Sequence, residues 1–574
     1  MTLTLDELNS ASIEQFSDLL AGVYGQAAWV GKSAASARPY ATLAAVKFAL
    51  SGAVRQSTPA QQLELIRAQP SLVSDDLILN ACLPGELEAL GQLEQSYNAR
   101  FGFPFVLALA GPRGNGLSKT DVLRTLQRRL NNPVDFERSE ALRNLDRIAE
   151  LRLNDKFGFV PLLGNQLWDW CEDLAVYSEP EYAQRGELTV TYLSDAHQAC
   201  ARHIEHLMRD DCGFDEVQID AVGNVVGVYH GQDPNAKRLL TGSHYDTVRN
   251  GGKYDGRLGI FAPMLCVREL AGQGMRLPFG IEVVAFSEEE GQRYKAVFLG
   301  SGALTGQFDL GWLDQLDAQG ISMRDAMQNA GLSIQAIDSL KRHPSQYLGF
   351  VEVHIEQGPV LNELDLPLGV VTSINGSVRF MGEVRGMASH AGTTPMGMRR
   401  DAAVGVAELA LYLEKRAASV PDLVGTMGML EVTSGSVNVV PGRCRFSLDI
   451  RATTNDVRDA CVADVKAELA RICEHRGLQF ELEEIMRAAA APSSPQWQAR
   501  WEAAVLAQGL PVFRMPSGAG HDAMKLHDIM PQAMLFVRGL NSGISHNPLE
   551  MTTNDDAQLC VQAFRHLLQQ LAQS

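Results

Sequence analysis

The chain has 574 residues, 45% of them hydrophobic, and a formal net charge of -18. That length exceeds one ordinary core, so two or three domains are expected, and the negative charge argues against nucleic-acid and membrane-surface partners. No cation precedes Lys32 and no apolar run approaches a bilayer span, so a cytoplasmic protein is the default expectation.

From Leu5 to about Leu153 the pattern is helical, with Leu8, Ile13, Phe16, Leu19, Leu20 and Val23 forming one apolar stripe. Ser57-Thr58-Pro59 reads as a helix start, and others are expected near Pro84 and Ser118. A Gly/Pro-containing stretch, Gly158 to Gly164, marks a boundary. Short β-type runs followed by helices then take over, in RLLTGSH, IEVVAFS, GFVEVHI and AMLFVRG. The expected fold is multidomain. An all-α domain over 1–160 precedes an α/β domain over 165–375 and 488–574, into which a smaller α+β domain, 376–487, is inserted. A helix over Asp401 to Arg416 and a strand over Arg443 to Ala452 are the clearest members of the insertion.

The nine cysteines stand singly, which suits reduced, buried thiols. All thirteen histidines lie at or beyond His197, so imidazole chemistry belongs to the later part alone.

Four segments carry candidate metal chemistry. In GSHYDTVRNGGKYDG a strand end delivers His244 and Asp246, two apart and therefore on one side, so that Asp246 can orient the His244 ring. Asp255 follows through Gly251-Gly252 and precedes Gly256; by itself the segment reads equally well as a hydrogen-bonded turn. In IEVVAFSEEEGQRY a strand runs into Glu288, Glu289 and Glu290. Adjacent side chains diverge there, so Glu290 can bind metal while Glu289 faces water as general base. Glu288 has no assigned role. VEVHIEQGPVL adds His354 and GISHNPLE adds His546. Together they form a nitrogen and oxygen donor set suited to zinc or manganese.

These strings, with SHAGTTPMGMRRDA and VNVVPG, resemble the allantoate amidohydrolases and N-carbamoyl-L-amino-acid hydrolases of the dinuclear metallopeptidase superfamily, from about Asn165 onward. The resemblance implies two divalent cations, zinc or manganese, one held by His244, Asp255 and His354 and the other by Asp255, Glu290 and His546. It implies Glu289 as general base, with Asp246 supporting the site. His390 is implied to reach from the inserted, dimerising lid domain into the active site of a second subunit, and Gln357, Asn438 and Arg451 to hold substrate. Arg451 would take a carboxylate in a two-pronged contact. From the residues alone, His390 is equally a loop cap, Asn438 a turn residue and Arg451 a surface cation. His521, in GAGHDAM, is expected behind the ligands. The implied reaction has a metal-polarised ureido carbonyl attacked by hydroxide while Glu289 takes the proton and His390 steadies the oxyanion; ammonia leaves, and the carbamate loses carbon dioxide.

The helical part resembles the decarboxylases acting on 2-oxo-4-hydroxy-4-carboxy-5-ureidoimidazoline (OHCU), through AWV at Ala28 to Val30, ELIRAQPSL, YNARFGFPF and RIAELRL. Where that family carries His-Pro-Asp this chain has Gln69-Pro70-Ser71, and its Glu-Gln pair is not recognisable in LVSDDLILNACLPGEL. A pseudoenzyme is therefore the favoured expectation over an active decarboxylase. The fusion makes a ureide the expected small-molecule substrate, allantoate first and N-carbamoyl amino acids second, with a peptidase or an inactive scaffold as further alternatives.

Overall fold

The computed structural model describes residues 2–74, 78 and 84–573. The chain begins as a stack of helices: α1 (Leu5–Ser10), α2 (Ile13–Leu19), α3 (Ala28–Ala34), α4 (Leu43–Gln56), α5 (Pro59–Arg67), α6 (Pro84–Phe101), α7 (Lys119–Arg129) and α8 (Val134–Phe157). Side-chain caps set their starts. Thr4 with Glu7, Ser12 with Gln15, and Thr58 with Gln61 form reciprocal capping boxes, and Ser118 caps α7. Phe16, Val46, Ile66, Tyr97, Leu126 and Ala141 meet in one core, beside a buried Arg129–Glu137 ion pair that also takes the Tyr97 hydroxyl. Gly158, at φ 58°, ends α8 in the left-handed conformation that a side chain would disfavour.

Beyond it lies a nine-stranded sheet: β1 (Glu216–Ile219), β2 (Val225–Tyr229), β3 (Arg238–His244), β4 (Gly280–Phe286), β5 (Tyr347–Ile355) and β6 (Leu368–Ile374), joined from further along the chain by Ala491–Pro492, Arg514–Ser517 and Gln532–Val537. β3 runs parallel to β4 and β5, and Gln532–Val537 runs parallel to β5. These strands are buried along nearly their whole length, which is why they read as continuous apolar runs. On one face pack α9 (Leu162–Leu174), α10 (Asp195–His206), α11 (Arg257–Gly272) and two late helices, Pro495–Ala507 and Asn554–Ala572, through Trp170, Phe261, Trp501 and Phe564.

Between β6 and Ala491–Pro492 the chain builds a separate five-stranded antiparallel sheet. It contains β7 (Gly376–Arg385), then, after the short β8 (Ser389–His390), β9 (Val424–Thr426) and β10 (Leu430–Val432), and, after β11 (Val439–Val440), β12 (Arg443–Ala452) and β13 (Gln479–Ala488). β8 and β11 pair only with each other. Helices α12 (Ala402–Ala418), capped by Asp401, and α13 (Asn455–Arg476) cover one face; β12 alternates buried and less buried residues accordingly. The remaining elements are numbered β14 (Ala491–Pro492), α14 (Pro495–Ala507), β15 (Arg514–Ser517), β16 (Gln532–Val537) and α15 (Asn554–Ala572).

The helical region docks on the large sheet's domain through α4, α7 and α8; α4, α8 and α15 border a cavity of about 360 Å³ walled by Phe48, Leu153, Leu510 and charged residues of α15. No helix among the described residues is long and apolar enough to cross a membrane.

Candidate metal centre

Parallel strands deliver side chains to one edge of the sheet, where loops leave the strand ends. β3 ends on His244 and β5 carries His354, both almost fully buried. The His244 Nδ1 lies 3.1 Å from the Asp246 carbonyl and the His354 Nδ1 lies 2.8 Å from the Ile355 carbonyl. A ring N–H donated to a carbonyl leaves Nε2 unprotonated, the tautomer a metal needs; the His354 Nε2 also accepts the Gly256 amide at 3.2 Å. Both Nε2 atoms face Asp255 Oδ1, at 3.2 and 3.1 Å.

The other Asp255 oxygen faces a second set. His546 Nε2 lies 3.3 Å from Oδ2 and 3.2 Å from Glu290 Oε1. Two groups of ligand atoms, His244/Asp255/His354 and Asp255/Glu290/His546, thus share one carboxylate. The spacings fit cations: tetrahedral ligands at about 2.0–2.1 Å from zinc stand about 3.3 Å from one another. Asp255 Oδ1 is buried without a hydrogen-bond donor, a costly state that a cation between it and the two rings would relieve. Asp255 and then Glu290 push the His546 imidazole up to about 11.

Two glycines make this approach possible. A Cβ on Gly256, whose φ is +69°, would fall 2.2 Å from the His244 carbonyl oxygen, and one on Gly252 would fall 2.1 Å from the Glu550 carboxyl. Glu550, which sequence reasoning missed although it closes the quoted GISHNPLE string, accepts the Tyr254 and Asp255 amides at 2.9 Å each and the Ser545 hydroxyl at 2.5 Å. It holds the turn that presents Asp255. Glu352, two residues before His354 on the same side of β5, is likewise new: it accepts Ser243 Oγ at 2.7 Å and the Ala523 amide at 3.0 Å.

Asp246 differs in detail from the expectation. Its backbone carbonyl meets His244, while its carboxylate caps the Glu289 and Glu290 amides at 3.1 Å each, with Oδ1 3.4 Å from His244 Nδ1. Asp246 therefore orients the glutamate loop as well as the imidazole. Burial, then the Glu290 charge, hold the Glu289 carboxyl well above the usual carboxylate range. Glu288 is fully buried beside Asp246 and is pushed up by burial and then by that charge. Gln357, at φ +58°, joins the cluster: its Nε2 donates to Asp255 Oδ2 at 2.8 Å and lies 3.2 Å from His546. His521 meets the His354 ring edge-on with ring centroids 4.4 Å apart, and its Nε2 lies 2.8 Å from the Ser517 hydroxyl.

The remaining candidates stand apart from this cluster. Arg451 grips Asp449 with Nε and Nη2, at 2.9 and 2.8 Å, and donates to the Gly518 carbonyl at 2.7 Å. It thereby ties the inserted sheet to the large one beside a hollow of about 510 Å³. His390 and Asn438 meet on the β8–β11 ribbon, where the Ala391 amide bonds the Asn438 carbonyl and the exposed His390 takes the Gly392 and Thr393 amides on Nδ1. In the helical region Gln69 donates to the Leu65 carbonyl and Ser71 to Glu94. Half of the segment expected to hold a Glu-Gln pair, 75–77 and 79–83, lies outside the described residues.

Residues 240–570 match the model of peptidase family M20/M25/M40, and residues 9–154 match that of OHCU decarboxylase. The N-carbamoyl-L-amino acid amidohydrolase of Geobacillus stearothermophilus is 38% identical over 354 residues, 62% of this chain and 86% of the relative. The allantoate deiminase of Arabidopsis thaliana is 37% identical over 380 residues, 60% of this chain and 72% of the relative. A solved amidase of the hydantoinase/carbamoylase family from Burkholderia multivorans has a TM-score of 0.66 and 30% identity, over 72% of this chain and 98% of that one.

Proposed function

Because this chain belongs to peptidase family M20/M25/M40, with an OHCU decarboxylase domain ahead of it, we propose that it hydrolyses the ureido group of allantoate to ureidoglycine, ammonia and carbon dioxide. The observation that carries this reading is the pair of donor groups sharing Asp255, with Glu289 on the adjoining loop. We assign one divalent cation, zinc or manganese, to His244, Asp255 and His354, and another to Asp255, Glu290 and His546. When bound, the cations supply Lewis acidity toward the ureido carbonyl and acidify water. Glu289 takes the proton of the attacking water and passes it to the departing nitrogen, a task suited to a carboxyl held above its ordinary range. Asp246 keeps Glu289 and Glu290 in place through their amides.

Substrate contacts come from both parts of the domain pair. Gln357 already sits on the cluster. Arg451 exchanges Asp449 and Gly518 for the substrate carboxylate, and Asn438 adds a polar contact. We read 376–487 as a lid inserted between 165–375 and 488–574. His390 belongs to the site of a second copy, where it stabilises the oxyanion. The lid's exposed Leu411, Leu430 and Val437 support a surface that another copy covers. The eight described cysteines are free and buried, which fits the cytoplasm.

The decarboxylase resemblance favours allantoate, because a chain joining the two families suits consecutive ureide chemistry. The Geobacillus relative favours N-carbamoyl amino acids as the second reading. Ammonia release by the metal-loaded protein from allantoate, beside several N-carbamoyl amino acids, tests the choice. Preference for allantoate is expected; turnover of N-carbamoyl amino acids alone overturns it.

A further inference from the structure

The segment carrying His546 leaves β16 at Arg538 and enters α15 at Asn554, and His546 itself is half exposed. Its two ends are tied to each other: the Leu540 amide bonds the Met551 carbonyl at 2.7 Å. They are also tied to the helical domain. Upstream, Arg128 of α7 donates to Asn541 at 3.2 Å, and Asn541 in turn bonds the Leu549 carbonyl at 2.6 Å. Downstream, the Asn554 amide bonds the Pro112 carbonyl at 3.0 Å, and its side chain bonds the Arg113 carbonyl at 2.8 Å. Arg147 of α8 reaches Asn554 at 2.7 Å and Asp555 at 2.5 Å, and Lys47 of α4 reaches the other Asp555 oxygen at 2.6 Å. Asn154 adds a bond to Asp555 at 3.0 Å. These groups are largely buried, so water competes poorly for them.

The geometry points to a positioning function for the helical domain: it braces both ends of the 541–555 segment and thereby sets His546 against Asp255 and Glu290. Arg147 is a positioning residue, acting through Asn554 and Asp555 without touching the ligands. Ser545 of the same segment donates to Asp255 Oδ2, the oxygen that faces His546, so a loosened brace relaxes the second donor group first. His244 and His354 sit on strands of the sheet and do not depend on this contact. A histidine-free domain fused to the enzyme thus has a task that needs no chemistry of its own.

The inference rests on reading His546 and Glu290 as ligands of the second cation, and the test separates the two. Apoprotein of the full chain is titrated with zinc against a chelating indicator, in wild type, His546→Ala, Arg147→Ala and Arg128→Ala. His546→Ala is expected to bind one zinc per chain where wild type binds two; if it binds two, the ligand reading fails. Arg147→Ala is expected to weaken the second zinc by roughly 10–100-fold, the range for residues that orient ligands, and to leave the first unchanged. Arg147→Lys restores part of the loss. Arg128→Ala, which strands no buried carboxylate, gives the same pattern more weakly and guards against misfolding. Wild-type affinity for both zincs in both arginine variants, or equal weakening of both sites, overturns the brace.

Discussion

The helical domain and the metallohydrolase domain meet the same problem, buried polar groups, and resolve it differently. In the helical domain every buried charge named above has an immediate partner: Arg129 with Glu137, and Arg147 with Asp555 across the interface. At the sheet edge Asp255 Oδ1 lacks a donor, Glu288 is buried beside Asp246, and several carboxylates crowd together. A saturated network stabilises, while an unsaturated one is poised to take up something from outside. The contrast locates chemistry in the later part and support in the earlier one.

The largest effect that could break this contrast comes from Asp255→Ala, which removes the carboxylate common to both donor groups. Hydrolysis is expected to fall to background and bound metal, measured by elemental analysis, to drop well below two per chain; retention of both cations would undo the shared-ligand assignment. Glu550→Ala frees the turn that presents Asp255, and a loss of roughly 10–100-fold in metal affinity is expected because ligand-orienting residues carry that much. Unchanged affinity would make Glu550 an ordinary buried acid. The helical side is sharpened by assaying the intact protein on freshly made OHCU. With Gln69 bonded to its own helix and no histidine before His197, product is expected to form only at the spontaneous, non-stereoselective rate. Stereoselective decarboxylation would show that the domain does chemistry after all.

The smallest effect concerns pH. Lys47 and then Arg147 hold the Asp555 carboxyl far below its ordinary range against the cost of burial. Its pKa is depressed by folding, so the stabilisation is fully present above the unfolded value of about 3.9 and is lost as pH falls toward the folded one. Melting temperature is expected to drop more steeply below about pH 4 in wild type than in Asp555→Asn, whose neutral amide cannot titrate. Parallel curves would remove Asp555 as the acid-sensitive link.

Much of the site was legible before any coordinates. His244, Asp255, Glu290, His354 and His546 stand beside glycines or at the ends of apolar runs, and their order along the chain carried the resemblance. The helix around Asp401 to Arg416 and the strand Arg443–Ala452 were also readable from local pattern. What escaped was long-range or backbone-directed. Glu550 acts on two amides 295–296 residues away, and amides have no sequence signature. Arg147 and Asp555 are 408 residues apart, and nothing local marks either as an interface residue. The Asp449–Arg451 grip was within reach, since residues two apart on a strand share a face, but a free guanidinium was expected there.

The most direct measurement is turnover together with metal content in Glu289→Gln. The substitution keeps the shape of the side chain and leaves all five residues assigned to the cations in place. Two cations per chain and a loss of about 10²–10⁴-fold in ammonia release from allantoate are predicted, the range for a positioned acid–base group. Near wild-type turnover with both cations bound would contradict the account.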